Sequence, residues 1–115
     1  MKRLFALTLA MTLFKPALAH AECEEPVSSD QLLDWIGKIE EGLRSGDLAT
    51  AGRAGVAAEK GLPCLAEPLP VPFVARAFRG VGAGLYVAGN TAGGKKWLLT
   101  AAELEVQQNA QGARA

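Results

Sequence analysis

Apolar residues recur at spacings of three and four along most of the chain, the period of helices that bury one face. The first run predicts a helix over about 30–44, with its apolar positions at Leu32, Trp35, Ile36, Ile39 and Leu43. Ser28 and Asp30 are residue types that cap helix N-termini, and Gly46 suits the left-handed position after a helix. The pattern therefore predicts one amphipathic helix with a defined start and end.

A second helix is predicted over about 47–61, and its inner face consists largely of small residues. That face carries Leu48, Ala51, Gly55, Ala58 and Leu62. Small side chains let two helix backbones approach closely, so we expect this helix to pack tightly on the first. We expect Trp35 to lie over Ala51, Gly55 and Ala58 as the anchor of the pair. Pro63 ends the second helix.

The second half of the chain predicts two more helices. Pro68, Pro70 and Pro72 indicate an extended linker, followed by a helix from about 71–73 to 88. Glycines at 80, 82 and 84 are unfavourable in a helix, so an extended conformation of Gly80–Val87 is the alternative. A fourth helix is predicted over about 95–107. The expected fold is all-α, with four helices in two antiparallel pairs, a domain at 22–107 and a flexible tail at 108–115.

The N-terminus has the pattern of an export signal. A basic start, Met1–Arg3, precedes an apolar run, Leu4–Phe14, and small residues at Ala19 and Ala21 fit a cleavage site. We therefore predict a signal peptide at 1–21 and a periplasmic or secreted protein. The apolar run is too short to span a bilayer, which needs about 20 residues. No transmembrane segment is expected in the mature chain.

Two cysteines, Cys23 and Cys64, remain beyond the predicted cleavage site. An even pair in a small exported domain predicts one disulfide bond, and two free buried thiols are the alternative. The only histidine, His20, precedes the cleavage site. Two distant cysteines without a histidine do not make a zinc site, so we expect no metal.

Composition argues against several classes of function. Three of the 12 basic residues lie in the predicted signal peptide, which leaves the mature chain mildly acidic and unlike a nucleic-acid-binding protein. A serine or cysteine nucleophile usually needs a base such as histidine, and the mature chain has none. We therefore expect no enzyme, no cofactor and no nucleic-acid partner.

One segment, Gly89–Lys96, imitates a phosphate-binding loop. It has the pattern G-x-x-x-x-G-K, but Lys96 stands where a serine or threonine hydroxyl would bind magnesium. A glycine-rich turn between helices explains the same residues. We therefore predict that this segment binds no nucleotide.

The first helix pair resembles a tetratricopeptide repeat. Trp35 opens the first helix, Gly46 and Asp47 form the turn, Ala51 and Ala58 lie on the second helix, and Pro63 closes the unit. Lys38, Gly42 and Gly55 depart from the repeat pattern. A weaker second unit has Phe78, Gly89-Asn90, Leu98 and Ala101 in corresponding positions. With Leu62-Pro63-Cys64-Leu65 closing the first unit, the chain is also similar to small exported tetratricopeptide-like proteins of myxobacterial type.

The resemblance implies a concave face that binds a protein or peptide partner in the cell envelope. Carried over from the aromatic anchors Trp35 and Phe78, that face consists of Ile36, Glu40, Leu43, Arg44, Arg79, Ala83, Tyr86 and Val87. Arginine there would bind a carboxylate. An ordinary helix surface whose apolar members lie in the core explains the same residues equally well. The alternative is a structural subunit of a larger envelope assembly, such as motility or secretion machinery, held by an exposed face of small residues.

Overall fold

The computed structural model describes residues 23–114, and this part of the chain is all-helical. Its four α-helices are α1 (Ser29–Ser45), α2 (Leu48–Gly61), α3 (Val71–Val87) and α4 (Thr91–Arg114), with a short 3-10 helix, Leu62–Cys64, after α2. The predicted all-α fold is confirmed, and Gly80–Val87 is helical. The predicted signal peptide at 1–21 lies outside the described residues.

Side chains cap the helix N-termini. Ser28 caps α1 by accepting a hydrogen bond from the Gln31 N–H at 3.1 Å, and Asp47 caps α2 by accepting one from the Thr50 N–H at 3.2 Å. Asn90 caps α4, since its side-chain carbonyl accepts the Gly93 N–H at 3.0 Å. This cap starts α4 at Thr91, before the predicted start at 95. The same helix continues to Arg114, beyond the predicted end at 107.

Glycines lie where successive helices cross. A Cβ on Gly42 of α1 would lie 2.9 Å from the Cβ of Ala51 on α2, and one on Gly55 of α2 would lie 2.7 Å from the Cα of Gly84 on α3. A Cβ on Gly82 of α3 would lie 2.9 Å from the carbonyl oxygen of Gly94 on α4. Any larger residue at these points would force the helices apart.

The core lies among α1, α2 and α3. Its largest fully buried side chains are Leu32, Ile36, Ile39, Val81 and Leu85. Trp97 attaches α4 to this core, because its ring packs edge-on against Phe78 with centroids 5.0 Å apart and its indole N–H donates to Glu59 at 3.0 Å.

Trp35 packs near the end of α2, and the predicted contact with Gly55 is wrong. A Cβ on Gly61, at the end of α2, would lie 2.5 Å from Cζ3 of Trp35. Gly55, which we expected under the Trp35 ring, faces Gly84 of α3 instead. The small face of α2 therefore serves two neighbours, with Ala51 against α1 and Gly55 against α3.

The N-terminal strap, residues 23–28, is fastened to the chain that follows α2. The predicted disulfide between Cys23 and Cys64 is present. The Val27 N–H donates to the Cys64 carbonyl at 2.8 Å, and the Ala66 N–H donates to the Val27 carbonyl at the same distance. A carboxylate oxygen of Glu67 then accepts hydrogen bonds from the backbone N–H and hydroxyl of Ser29. These hydrogen bonds with Ser29 lower the pKa of Glu67.

Candidate interaction surfaces

The predicted binding face is only partly a surface. Ile36 is fully buried and lies against α3, where a Cβ on Gly80 would be 3.1 Å from its Cδ1 atom. It is therefore a core residue and cannot contact a partner. Leu43, Arg44, Arg79 and Tyr86 are exposed, and Glu40 is half-buried. Helical periodicity identifies an apolar face, but it does not say whether a neighbouring helix covers that face.

Glu40 is the centre of an arginine cluster between α1 and α3. Its carboxylate accepts two hydrogen bonds from Arg76, at 3.0 Å from Nε and 2.6 Å from Nη2. These bonds lower the pKa of Glu40, and the charges of Arg76, Arg79 and Arg44 add to the effect. Arg44 lies one turn after Glu40 on α1 and Arg79 lies one turn after Arg76 on α3, so Glu40, Arg44 and Arg79 of the predicted face are near one another.

Sequence reasoning missed Arg76, which makes the strongest contact in this cluster. The repeat resemblance counts binding positions from Phe78 towards the C-terminus, so it assigns no role to Arg76, two residues earlier. Arg76 and Arg79 are three residues apart and share one side of the helix, which is a signal that the sequence contains.

Each arginine of the cluster already has a carboxylate partner. Arg76 pairs with Glu40, Arg44 pairs with Glu41, and Arg79 of α3 pairs with Glu105 of α4. A partner's carboxylate would have to replace one of these groups. Exposed ion pairs contribute only about 0–1 kcal/mol, so such an exchange is energetically accessible at Arg44 and Arg79.

An open apolar groove lies between α2 and the end of α3. We call it the α2–α3 groove; it has a volume of about 500 Å³ and is lined by Leu48, Ala49, Gly52, Arg53, Val56, Val87 and Ala88. Leu48 is 49% exposed and Val56 is 37% exposed. A Cβ on Gly52 would lie 3.1 Å from the Cβ of Ala88, so the small residue keeps the two helices close at the floor of the groove.

Most residues of this groove were not predicted as binding residues. Only Val87 belongs to the face that the repeat resemblance implied, because that resemblance places binding on the first helix of each pair. The sequence nevertheless contains a signal. Leu48, Gly52 and Val56 are four residues apart and form a second stripe on α2, beside the buried stripe that contains Ala51 and Ala58. The prediction that Leu48 belongs to the inner face is therefore wrong, since its side chain is exposed in the groove.

The segment that imitates a phosphate-binding loop is mostly helix. Gly89 has a positive φ of 102°, and α4 begins two residues later at Thr91. The backbone N–H of Gly94 is engaged with the Asn90 carbonyl at 2.9 Å. A glycine-rich turn followed by a capped helix accounts for these residues. The absence of nucleotide binding stays a prediction.

Other site classes receive no support within residues 23–114. In that range no group of three or more His, Cys, Asp or Glu residues is placed to hold a metal ion. No helix among the described residues has the length and apolar character needed to cross a membrane. No family model, curated protein or solved structure matched this chain. The tetratricopeptide resemblance therefore stays an interpretation of the sequence.

Proposed function

We propose that this protein is an exported interaction module of the cell envelope that binds a partner peptide in the α2–α3 groove, and that it has no catalytic activity. The observation that carries the proposal is the groove itself: exposed Leu48 and Val56 above a glycine floor. Large apolar side chains held at a concave surface can gain burial from a ligand. The disulfide supports export, because such bonds persist in oxidising compartments.

The lining of the groove indicates the chemistry of the peptide. From Leu48 to Val56 the groove follows α2 for about 12 Å, roughly two helical turns. A short amphipathic helix with apolar residues three and four positions apart fits a groove of this length. Arg53 lies in the same lining and is exposed, with a long hydrogen bond of 3.3 Å to the Thr50 hydroxyl. An acidic residue on the peptide would pair with its guanidinium.

The helix arrangement that presents the groove is part of the proposal. We propose that α1 with α2, and α3 with α4, form two antiparallel pairs of the tetratricopeptide kind. Contacts at both ends support the first pair, with Gly42 near Ala51 beside the turn and Trp35 near Gly61 at the far end. The contact of Gly82 with Leu98 and the ion pair between Arg79 and Glu105 support the second pair.

The structural-subunit alternative depended on an exposed face of small residues. On α3 that face comprises Ala77, Gly80, Gly84 and Ala88, and the first three are buried against neighbouring helices. Those residues are used inside the domain and are not free for a permanent partner. We therefore favour the peptide-binding module.

Selection of a displayed peptide library against the disulfide-bonded protein tests this function. We expect enriched peptides with apolar residues at helical spacing and at least one acidic residue. Val56→Asp, a substitution at an exposed position, should abolish their binding by placing a charge in the groove. Val71→Asp at the start of α3 is the matched control, with the same change at another exposed valine, and should leave binding intact.

Two outcomes would contradict the proposed function. One is a selection that enriches no sequence class above background. The other is a set of peptides that bind the Val56→Asp variant as tightly as the unmodified protein. Circular dichroism of both variants should match that of the unmodified protein, so that a loss of binding reports the groove and not unfolding.

A further inference from the structure

The outer face of α4 carries large apolar side chains that nothing in the described chain covers. Leu99 is 66% exposed and Val106 is 68% exposed, while the inner face of the same helix packs on α3 through other residues. Leu99, Ala102, Glu103 and Val106 line one shallow depression of about 410 Å³. Leu99 and Val106 are therefore available to pack against a partner, and the residues around them decide whether this face is an interface.

The stripe has the spacing of a helix–helix contact. Ala92, Lys95, Leu99, Ala102 and Val106 follow one another at intervals of three, four, three and four residues, and all five are exposed. We call these residues, together with Glu103, the α4 seam. Such spacing keeps one line of side chains facing a partner helix along its length.

The charged residues of the α4 seam are placed so that a second, antiparallel copy of α4 would present an opposite charge to each of them. Lys95 lies four residues before Leu99 and Glu103 lies four residues after it. If two copies of α4 cross antiparallel at Leu99, then Lys95 of each copy faces Glu103 of the other. The same two-fold axis sets Val106, seven residues after Leu99, against Ala92, seven residues before it. Large apolar groups then meet small ones, and both ion pairs form at once.

We propose that the α4 seam is a homodimer interface in which a second copy of this chain binds antiparallel through α4. A two-fold contact needs one patch that is complementary to itself, and the order of Lys95, Leu99 and Glu103 has that property. Among the side chains of residues 23–110, neither Lys95 nor Glu103 forms a salt bridge, so both charges are available to a partner. The proposal is independent of peptide binding in the α2–α3 groove.

The size of the seam sets the strength of the dimer. From Ala92 to Val106 the helix rises about 21 Å. One pair of helices of this length buries less area than the roughly 1,200–2,000 Å² of a stable protein interface. We therefore expect a dimer that dissociates on dilution.

Charge reversal at the two seam positions tests the dimer. Sedimentation equilibrium of the disulfide-bonded protein should show a monomer–dimer equilibrium. The two-fold axis repeats the contact between positions 95 and 103, so Lys95→Glu alone or Glu103→Lys alone creates two pairs of like charges. Each variant should raise the dissociation constant of the dimer by about tenfold. The double variant, Lys95→Glu with Glu103→Lys, restores opposite charges and should return the dissociation constant to within about threefold of the original.

Controls separate the interface from other effects. Lys60→Glu makes the same charge change at an exposed position of α2 and should leave the dimer unchanged. Val56→Asp removes the proposed peptide site and should also leave it unchanged. A protein that stays monomeric at every concentration, or a double variant as weak as the single variants, would overturn the proposal.

Discussion

Gly55 and Gly84 face each other across the crossing of α2 and α3, with their backbones in direct contact. A Cβ on Gly84 would lie 2.7 Å from the Cα of Gly55 and 3.1 Å from the Ala51 carbonyl oxygen. Real Cβ atoms do not tolerate such distances, so glycine is required on both sides. This contact fixes how closely α2 approaches α3, and therefore shapes the groove between them.

Gly55→Ala should destabilise the protein although alanine is the better helix former. The added methyl group would meet backbone atoms of Gly84, which no side-chain rotation can move away. We therefore expect a loss of about 1–3 kcal/mol in unfolding free energy. Gly37→Ala in α1 is the matched control, because no atom lies within 4 Å of its Cβ position. That variant should gain up to about 1 kcal/mol. Urea unfolding measures both, and a gain for both variants would contradict the crossing.

Reduction of the Cys23–Cys64 disulfide should lower stability substantially. The bond joins residues 41 apart in sequence, and opening a loop of that length costs about 4 kcal/mol in the chain-entropy description. For a domain of this size the melting temperature should fall by more than about 10 °C. Calorimetry with and without a dithiol reductant measures the change. A Cys23→Ala, Cys64→Ala double variant should melt like the reduced protein and should not respond to reductant.

The Glu40–Arg76 pair should make stability depend on acid pH. The pKa of Glu40 is lowered in the folded protein, chiefly by the Arg76 hydrogen bonds. Folding therefore favours the ionised form of Glu40. The stabilisation that this form contributes is complete above the ordinary glutamate pKa of 4.5, and it is lost as the pH falls through the lower pKa of the folded protein.

Glu40→Gln isolates this contribution. The variant should be less stable than the unmodified protein near neutral pH, and the two should converge as the pH falls below 4.5. Arg76→Gln removes the cause of the lowered pKa and should show the same convergence. Urea midpoints across a pH series test this, and parallel curves for Glu40→Gln and the unmodified protein would exclude the pair as a source of stability.

Local signals in the sequence predicted the helices well. Ser28, Asp47 and Gly46 mark helix ends through contacts with residues close in sequence, so the bounds of α1 and α2 could be predicted closely. Asn90 carries the same kind of signal for α4, but Gly93 and Gly94 made the segment resemble a loop, and the start was placed too late. The disulfide was predictable because only two cysteines follow the predicted signal peptide.

Contacts between helices could not be predicted in the same way. The tetratricopeptide register placed Ile36 on the binding face, although periodicity counted it among the apolar positions of α1, and the small face of α2 was expected to seat Trp35 at Gly55. The structure covers Ile36 with α3 and sets Gly55 against Gly84. Which helix covers a face depends on crossing geometry, which side-chain spacing within one helix does not determine. The α2–α3 groove was missed for this reason, since it exists only where Gly52 lets Ala88 approach.

Chemical-shift mapping with a selected peptide tests the central claim most directly. The amide and methyl signals of the disulfide-bonded protein would be followed as an enriched peptide is added. We expect the largest shifts at Leu48, Gly52, Val56 and Val87, with smaller changes along α1. Shifts concentrated at Leu43, Arg44, Arg79 and Tyr86 would place binding on the face that the repeat resemblance implied and would contradict the groove as the binding site.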